Sequence, residues 1–239
     1  RLAMSLLRDA RLVATKDLRI EWRSRVLTNQ ALPFAVLVLM LFAFALDPDR
    51  GTLRSATPGL FWVAVMFTSV LAAQRSGAVE VADGGGDALR MSGLEPAGIF
   101  LGKASALAIE LAALEVLLFG GVVLLYNLDV RASGVAVIAF TCLATTIGLA
   151  AASTIYGALA AGQRVRDTLL PLLMLPVVAP ILICSTRAFE AALATNVSKK
   201  KVSTVNPADG WPWIGLIAVF ALVYVAAGLL AYGPLQEDA

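Results

Sequence analysis

Two carboxylates interrupt a long apolar run from Gly98 to Tyr126: Glu110 and Glu115. If that run crosses a bilayer, each costs about 2.5–3.5 kcal/mol on insertion scales and must face a bundle interior or a cavity. Glu110 follows Lys103 by one heptad and shares its face near one end of the run, whereas Glu115 lies deeper and about 140° around the helix. Glu115 is therefore the candidate protonatable or hydrogen-bonding group, and a protonated Glu bonded to a neighbouring helix explains it equally well. Other chemistry is sparse. There is no histidine, which removes His acid–base catalysis and His-ligated metals or haem from this chain. Cys142 and Cys184 lie in apolar stretches and read as small buried hydrophobes. Gly98-Ile-Phe-Leu-Gly102-Lys103 has one residue too few for a phosphate loop, with Ala104 where a hydroxyl would hold magnesium. Gly84-Gly85-Gly86 has no strand before it, so neither segment binds a nucleotide and the chain does not hydrolyse ATP itself.

Two further segments attract notice. The stretch Gln74–Pro96 gathers Arg75, Glu80, Asp83, Asp87, Arg90 and Glu95 around a glycine break. Asp87 is placed to cap a short amphipathic turn over Asp87–Leu94, and Pro96 to start the next helix. Such a turn can dock into another protein with Leu89 and Leu94 as apolar anchors, or it can be a solvated loop. Downstream, Pro171, Pro176 and Pro180 fall within one apolar stretch. Each removes a helical hydrogen bond, which predicts a bent or broken helix whose freed carbonyls are satisfied inside a bundle. Gly120-Gly121, Gly148, Gly157 and Gly162 would allow close helix approach.

The elements that hold these residues follow from composition. Of 239 residues, 59% are hydrophobic and 15% charged, against about 45–50% and 25% in soluble domains. A soluble protein of this size cannot bury so much apolar surface, so the chain is an all-α integral membrane protein. A balance of 19 basic against 17 acidic residues leaves no basic domain for nucleic acid. Six spans are expected, at Thr28–Leu46, Pro58–Ala73, Gly98–Tyr126, Ala132–Ala161, Thr168–Arg187 and Trp213–Tyr232, the second being short. Together they form one membrane domain over 28–239, with a loop at 74–96. Lys and Arg near the span ends divide twelve to seven, placing both termini and the 74–96 loop in the cytoplasm; Lys199–Lys201 fall on the wrong side for this rule. Residues 1–27 are charged and do not have the form of a cleavable signal peptide. On a helical wheel Arg1, Arg8, Arg11, Lys16, Arg19 and Arg23 oppose Leu2, Leu6, Ala10, Val13, Ala14 and Ile20, with Leu12 the misfit. That pattern describes a cytoplasmic interfacial helix among lipid headgroups, or one packed on a soluble partner.

The segments KDLRIEWRSR, LPFAVLVLMLFAFAL, TPGLFWVAVMF, DALRMSGLEPAGIFLGK and LLPLLMLPVVAPILI together resemble the membrane subunit of the cytochrome c maturation ABC transporter, the haem exporter protein B (CcmB) family. The likeness covers nearly the whole chain, although Ser92-Gly93 stands where a proline is expected and the triple glycine is unusual. It implies a six-span, non-catalytic ABC-2 type permease of the bacterial inner membrane, working as a homodimer. Each copy would dock a separate ABC ATPase subunit through the 74–96 loop. A haem-handling membrane subunit and a small helper subunit would complete the complex, serving a periplasmic haem chaperone. No cofactor is expected on this chain, since ATP would sit on the ATPase and haem on partner subunits. An ABC-2 permease for a lipid or drug, or a membrane scaffold without transport, would leave the same sequence pattern.

Overall fold

The computed structural model describes residues 2–25, 27–45, 50–82, 91, 93–128, 130–161, 166–193 and 206–237. Among them the chain is helical, with no strand. Seven helices follow one another: α1 (Leu2–Ser24), α2 (Leu32–Ala45) after a π-helical turn at Leu27–Ala31, α3 (Arg50–Ala82), α4 (Pro96–Tyr126), α5 (Ala132–Ala161), α6 (Arg166–Leu193) and α7 (Trp211–Glu237). A short 3-10 turn, Pro207–Gly210, introduces α7, and Asn206 and Asp209 cap it reciprocally.

Helices α3 to α7 are each long and apolar enough to cross a membrane. The expected first span is met by α2 together with the π-helical turn before it, residues 27–45, about 28 Å of helix against a hydrocarbon core of about 30 Å. It meets α1 across a 51° bend, and with that bent pair counted as one span the described residues hold up to six.

Two boundaries also move. The second span is not short: α3 is helical from Arg50, and its apolar part runs Gly51–Gln74. Pro58 lies inside the helix and does not start it. The turn before Pro58 is tied elsewhere, Thr57 donating to the Leu53 carbonyl at 2.9 Å and Arg54 donating to the Asn127 carbonyl at 2.7 Å. That second bond puts a cation on the C-terminal end of α4, where the helix dipole favours it. Likewise α6 continues past Arg187 to Leu193. Arg187 pairs with Glu190 at 2.9 Å on the exposed side, while Ala188, Phe189, Ala191 and Ala192 are buried on the other. The chain stays helical through all three prolines of α6. In the turn ahead of Pro180, the Val177 carbonyl accepts a hydrogen bond from the Tyr224 hydroxyl of α7.

At the centre lies α5, which packs against α3, α4, α6 and α7. Its inward surface consists of small and hydroxyl residues, including Thr141, Thr145, Ala150, Ala151, Ala152 and Ser153, all fully or nearly fully buried. Close approach is enforced at Gly148, where a methyl group would lie 2.5 Å from Ile181 Cδ1 and 3.4 Å from Ala221 Cβ. The buried hydroxyls mostly donate within their own helix: Thr141 to the Val137 carbonyl, Thr154 to Ala150 and Ser185 to Ile181. The largest side chains gather toward the Tyr126 end of the bundle, where Phe61, Trp62, Phe119 and Phe189 stack edge and face with centroids 5.0–6.3 Å apart. A smaller cluster at the Pro96 end joins Val13, Ile99, Phe100, Ala151 and Tyr232.

Candidate functional site

Glu115 is buried inside the bundle at 3% exposure. Thr146 of α5 donates its hydroxyl to Glu115 Oε1 at 2.6 Å, and Cys142, one turn earlier on α5, lies beside the same carboxyl group. Thr146 and Cys142 are four residues apart, so they present one face of α5 to α4. The carboxyl group is thus hydrogen-bonded to a neighbouring helix, through a threonine that the sequence alone did not single out. The next polar contact on α5 points elsewhere: Thr145 meets the Ser185 hydroxyl of α6 at 2.6 Å. Adjacent residues of α5 thus bond to opposite neighbours, α4 on one side and α6 on the other. Trp62 Nε1 of α3 is buried without a hydrogen-bond partner. Among the described residues, no group of three His, Cys, Asp or Glu could hold a metal ion.

Glu110 is half-buried and has an interaction partner of its own. It does not join the Glu115 cluster in any described bond. Lys103, one heptad before it, is buried at 7% exposure, and its Nζ lies 4.0 Å from Asp17 Oδ2 of α1.

That pair belongs to a second junction, between α1 and the first turns of α4. The sequence reading gave the apolar face of α1 to lipid or to a separate protein; the structure lays it on α4. Val13 is 2% exposed, and Leu6, Ala10 and Ala14 are half-buried. Gly98 and Gly102 make the approach possible. A methyl at Gly98 would meet Asp9 Cβ at 2.9 Å, and one at Gly102 would meet Val13 Cβ at 2.6 Å and the Ala10 carbonyl oxygen at 2.7 Å. The segment dismissed as a phosphate loop is therefore a Gly-x-x-x-Gly helix contact. Its four-residue spacing was visible in the sequence, but nothing there indicated which helix would use it. By contrast, among the described residues Gly120 has nothing within 4 Å of such a methyl and Gly121 has only Leu125 of its own helix, so these two serve no close approach there. Gly157 faces Ala73 at ordinary contact distance, and Gly162 lies outside the described residues.

Of the residues assigned to a docking loop, Arg75 and Glu80 fall within the last turns of α3. Asp83, Asp87, Leu89 and Arg90 lie outside the described residues. Leu94 is half-buried against the cluster of Val13, Phe100 and Tyr232. Next to it, the Glu95 backbone N–H donates to Asp9 Oδ2 at 3.3 Å, and Pro96 occupies the first helical position of α4. The C-terminal end of the 74–96 segment is thereby tied to α1, α4 and α7 together.

Residues 8–208 match the family described as CcmB protein. The chain is 32% identical over 185 residues to a protein named Heme exporter protein B from Bradyrhizobium diazoefficiens, covering 77% of this chain and 82% of the relative. Its counterpart in Paracoccus denitrificans is 32% identical over 182 residues, covering 75% and 81% respectively. A third, from Haemophilus influenzae, is 29% identical over 180 residues, covering 75% and 80%.

Proposed function

The chain belongs to the CcmB protein family, and from that premise we propose that it is the membrane-spanning permease subunit of a bacterial haem exporter serving cytochrome c maturation. The observation that carries this reading is the extent of the likeness: relatives named Heme exporter protein B align over about three quarters of this chain and four fifths of their own length. The chain is non-catalytic, and hydrolysis of ATP occurs on a separate ABC ATPase subunit. In this reading the complex sits in the inner membrane with both termini cytoplasmic and contains two copies of the permease. It also contains a haem-handling membrane subunit and a small helper, and it supplies a periplasmic haem chaperone. Haem is held by those partners, since a chain without histidine lacks the usual strong axial ligand.

The 74–96 segment is the proposed ATPase dock, with Arg75, Glu80, Asp83, Asp87 and Arg90 supplying its charged rim and Leu89 an apolar anchor. Leu94 has a different part: with the Asp9 carboxylate on the Glu95 N–H, it links the dock to three helices at once. A displacement at the dock then reaches α1, α4 and α7 as a unit, which supports coupling of hydrolysis to the bundle. The test is a strain lacking this chain, scored for covalently bound haem in its c-type cytochromes and complemented by a tagged copy. Complementation with co-elution of an ATPase is expected; normal cytochromes without the chain, or complementation by a copy that purifies free of any ATPase, would refute the reading.

A further inference from the structure

We propose that the outer face of α1 is a binding site for anionic phospholipid, a function separate from the transported species and independent of the reading above. Charge on α1 is sorted across the helix. The acidic residues face the protein: Asp9 accepts the Glu95 N–H and Asp17 approaches Lys103. The basic residues Arg8, Arg11, Lys16, Arg19 and Arg23 line a shallow, open groove between side chains of this one helix along the opposite side. Lys16 is paired to neighbouring Asp17 at 3.0 Å, so the four arginines carry the positive field of the groove.

The groove is not merely basic. Leu7 and Leu12 line it beside the arginines and are 67% and 53% exposed, and Ile20 closes one side. Trp22, the residue type favoured at membrane interfaces, is 83% exposed. Alternating guanidinium groups and aliphatic side chains match a ligand that is anionic at one end and apolar beside it, which a phospholipid is and a free phosphate is not. Position supports the same occupant. The inner face of α1 is fixed to the first turns of α4, a membrane-spanning helix, which holds the groove beside the headgroup layer. Because the apolar face is already covered by α4, lipid recognition falls to the basic side, the reverse of an ordinary amphipathic surface helix. Leu12, the misfit of the sequence pattern, is a lining residue of this groove.

The test uses the full chain purified in neutral detergent, titrated with phosphatidylglycerol or phosphatidylcholine and read by native mass spectrometry and thermal midpoint. Phosphatidylglycerol should bind and raise the midpoint, and phosphatidylcholine should not. In the triple variant Arg8→Gln, Arg11→Gln, Arg19→Gln, phosphatidylglycerol affinity should fall roughly a hundredfold, about fivefold per cation. The corresponding triple Lys variant should retain binding, and both variants should match the wild-type midpoint without lipid, since these side chains are exposed. Equal binding of the two lipids, or unchanged affinity in the Gln variant, would overturn the proposal. So would competition by millimolar inorganic phosphate, which would mark a free-anion site. Loss of a co-purifying ATPase from the Gln variant with lipid binding intact would make the groove a protein interface and equally overturn it.

Discussion

Replacing Gly102 by Ala should loosen the α1–α4 junction, although alanine is the better helix former. The added methyl would sit 2.6 Å from Val13 Cβ and 2.7 Å from the Ala10 carbonyl oxygen, about 1 Å inside ordinary contact between carbon atoms. Neither neighbour can swing away, because one is attached directly to the backbone and the other is backbone. Relief requires α1 to lift from α4, at about 1–3 kcal/mol for overpacking of this kind. The gain in helix propensity is about 1 kcal/mol, so the net effect is destabilisation of the junction by up to about 2 kcal/mol. Val13→Gly should not rescue it, since the Ala10 carbonyl remains. Gly98→Ala strains the same interface, at 2.9 Å from Asp9 Cβ. If α1 lifts as one body, the double variant should cost less than the sum of the singles. The internal control is Gly120→Ala in the same helix, where nothing lies within 4 Å and stability should be unchanged or raised. Limited trypsin digestion reads the result directly, because α1 once detached can unwind, and only an unwound backbone at its exposed arginines enters the protease. Wild-type protection and thermal midpoint in Gly102→Ala, indistinguishable from Gly120→Ala, would refute the packing argument.

Glu115→Gln keeps an acceptor for the Thr146 hydroxyl and should preserve both protein level and cytochrome maturation. Glu115→Leu strands the buried Thr146 donor and should cost about 1–3 kcal/mol, visible as lower abundance in membranes; loss of maturation in Gln at normal abundance would instead assign Glu115 a proton-handling role. A single cysteine at position 85 on a Cys-free background should be labelled from the cytoplasmic side in inverted vesicles. Labelling confined to intact cells would reverse the proposed orientation.

Element identity was legible in the sequence to the extent that one segment carried its own signal. The limits of α5, Ala132–Ala161, coincide with its apolar run, and Pro96 marks the start of α4 because a first-turn proline forfeits no helical bond. The errors at Pro58 and Arg187 share one cause. A proline and an arginine look like boundaries, yet each sits mid-helix because a distant partner or a buried opposite face sustains the turn around it. The wheel of α1 correctly separated its two faces, but amphipathicity states only that a face must be covered, and the cover proved to be the same chain. At the buried site, Glu115 announced itself through the cost of its charge. Its partner did not, since Thr146 is an ordinary residue in an apolar helix until the register between α4 and α5 is known.

The hydroxyls along α5 have a mechanical consequence. A helix joined to its neighbours by committed interhelical bonds would have to break them before it could slide. Here the Ser185 hydroxyl already reaches the Ile181 carbonyl of its own helix while touching Thr145, and Thr141 and Thr154 are satisfied without any neighbour. Small displacements of α6 past α5 therefore strand only the Thr145 hydroxyl, which donates to Ser185, and loosen the weak Ser153 contact with Met174 Sδ, while the interlocking of Gly148 with Ile181 adds a steric barrier to shear. On the other flank the Thr146–Glu115 bond has no such reserve for the carboxyl group. The polar tie of the central helix is thus weaker toward α6, where hydroxyl and thioether groups meet, than toward α4, where a carboxyl group is held, so α4 and α5 would travel as one piece more readily than α5 and α6.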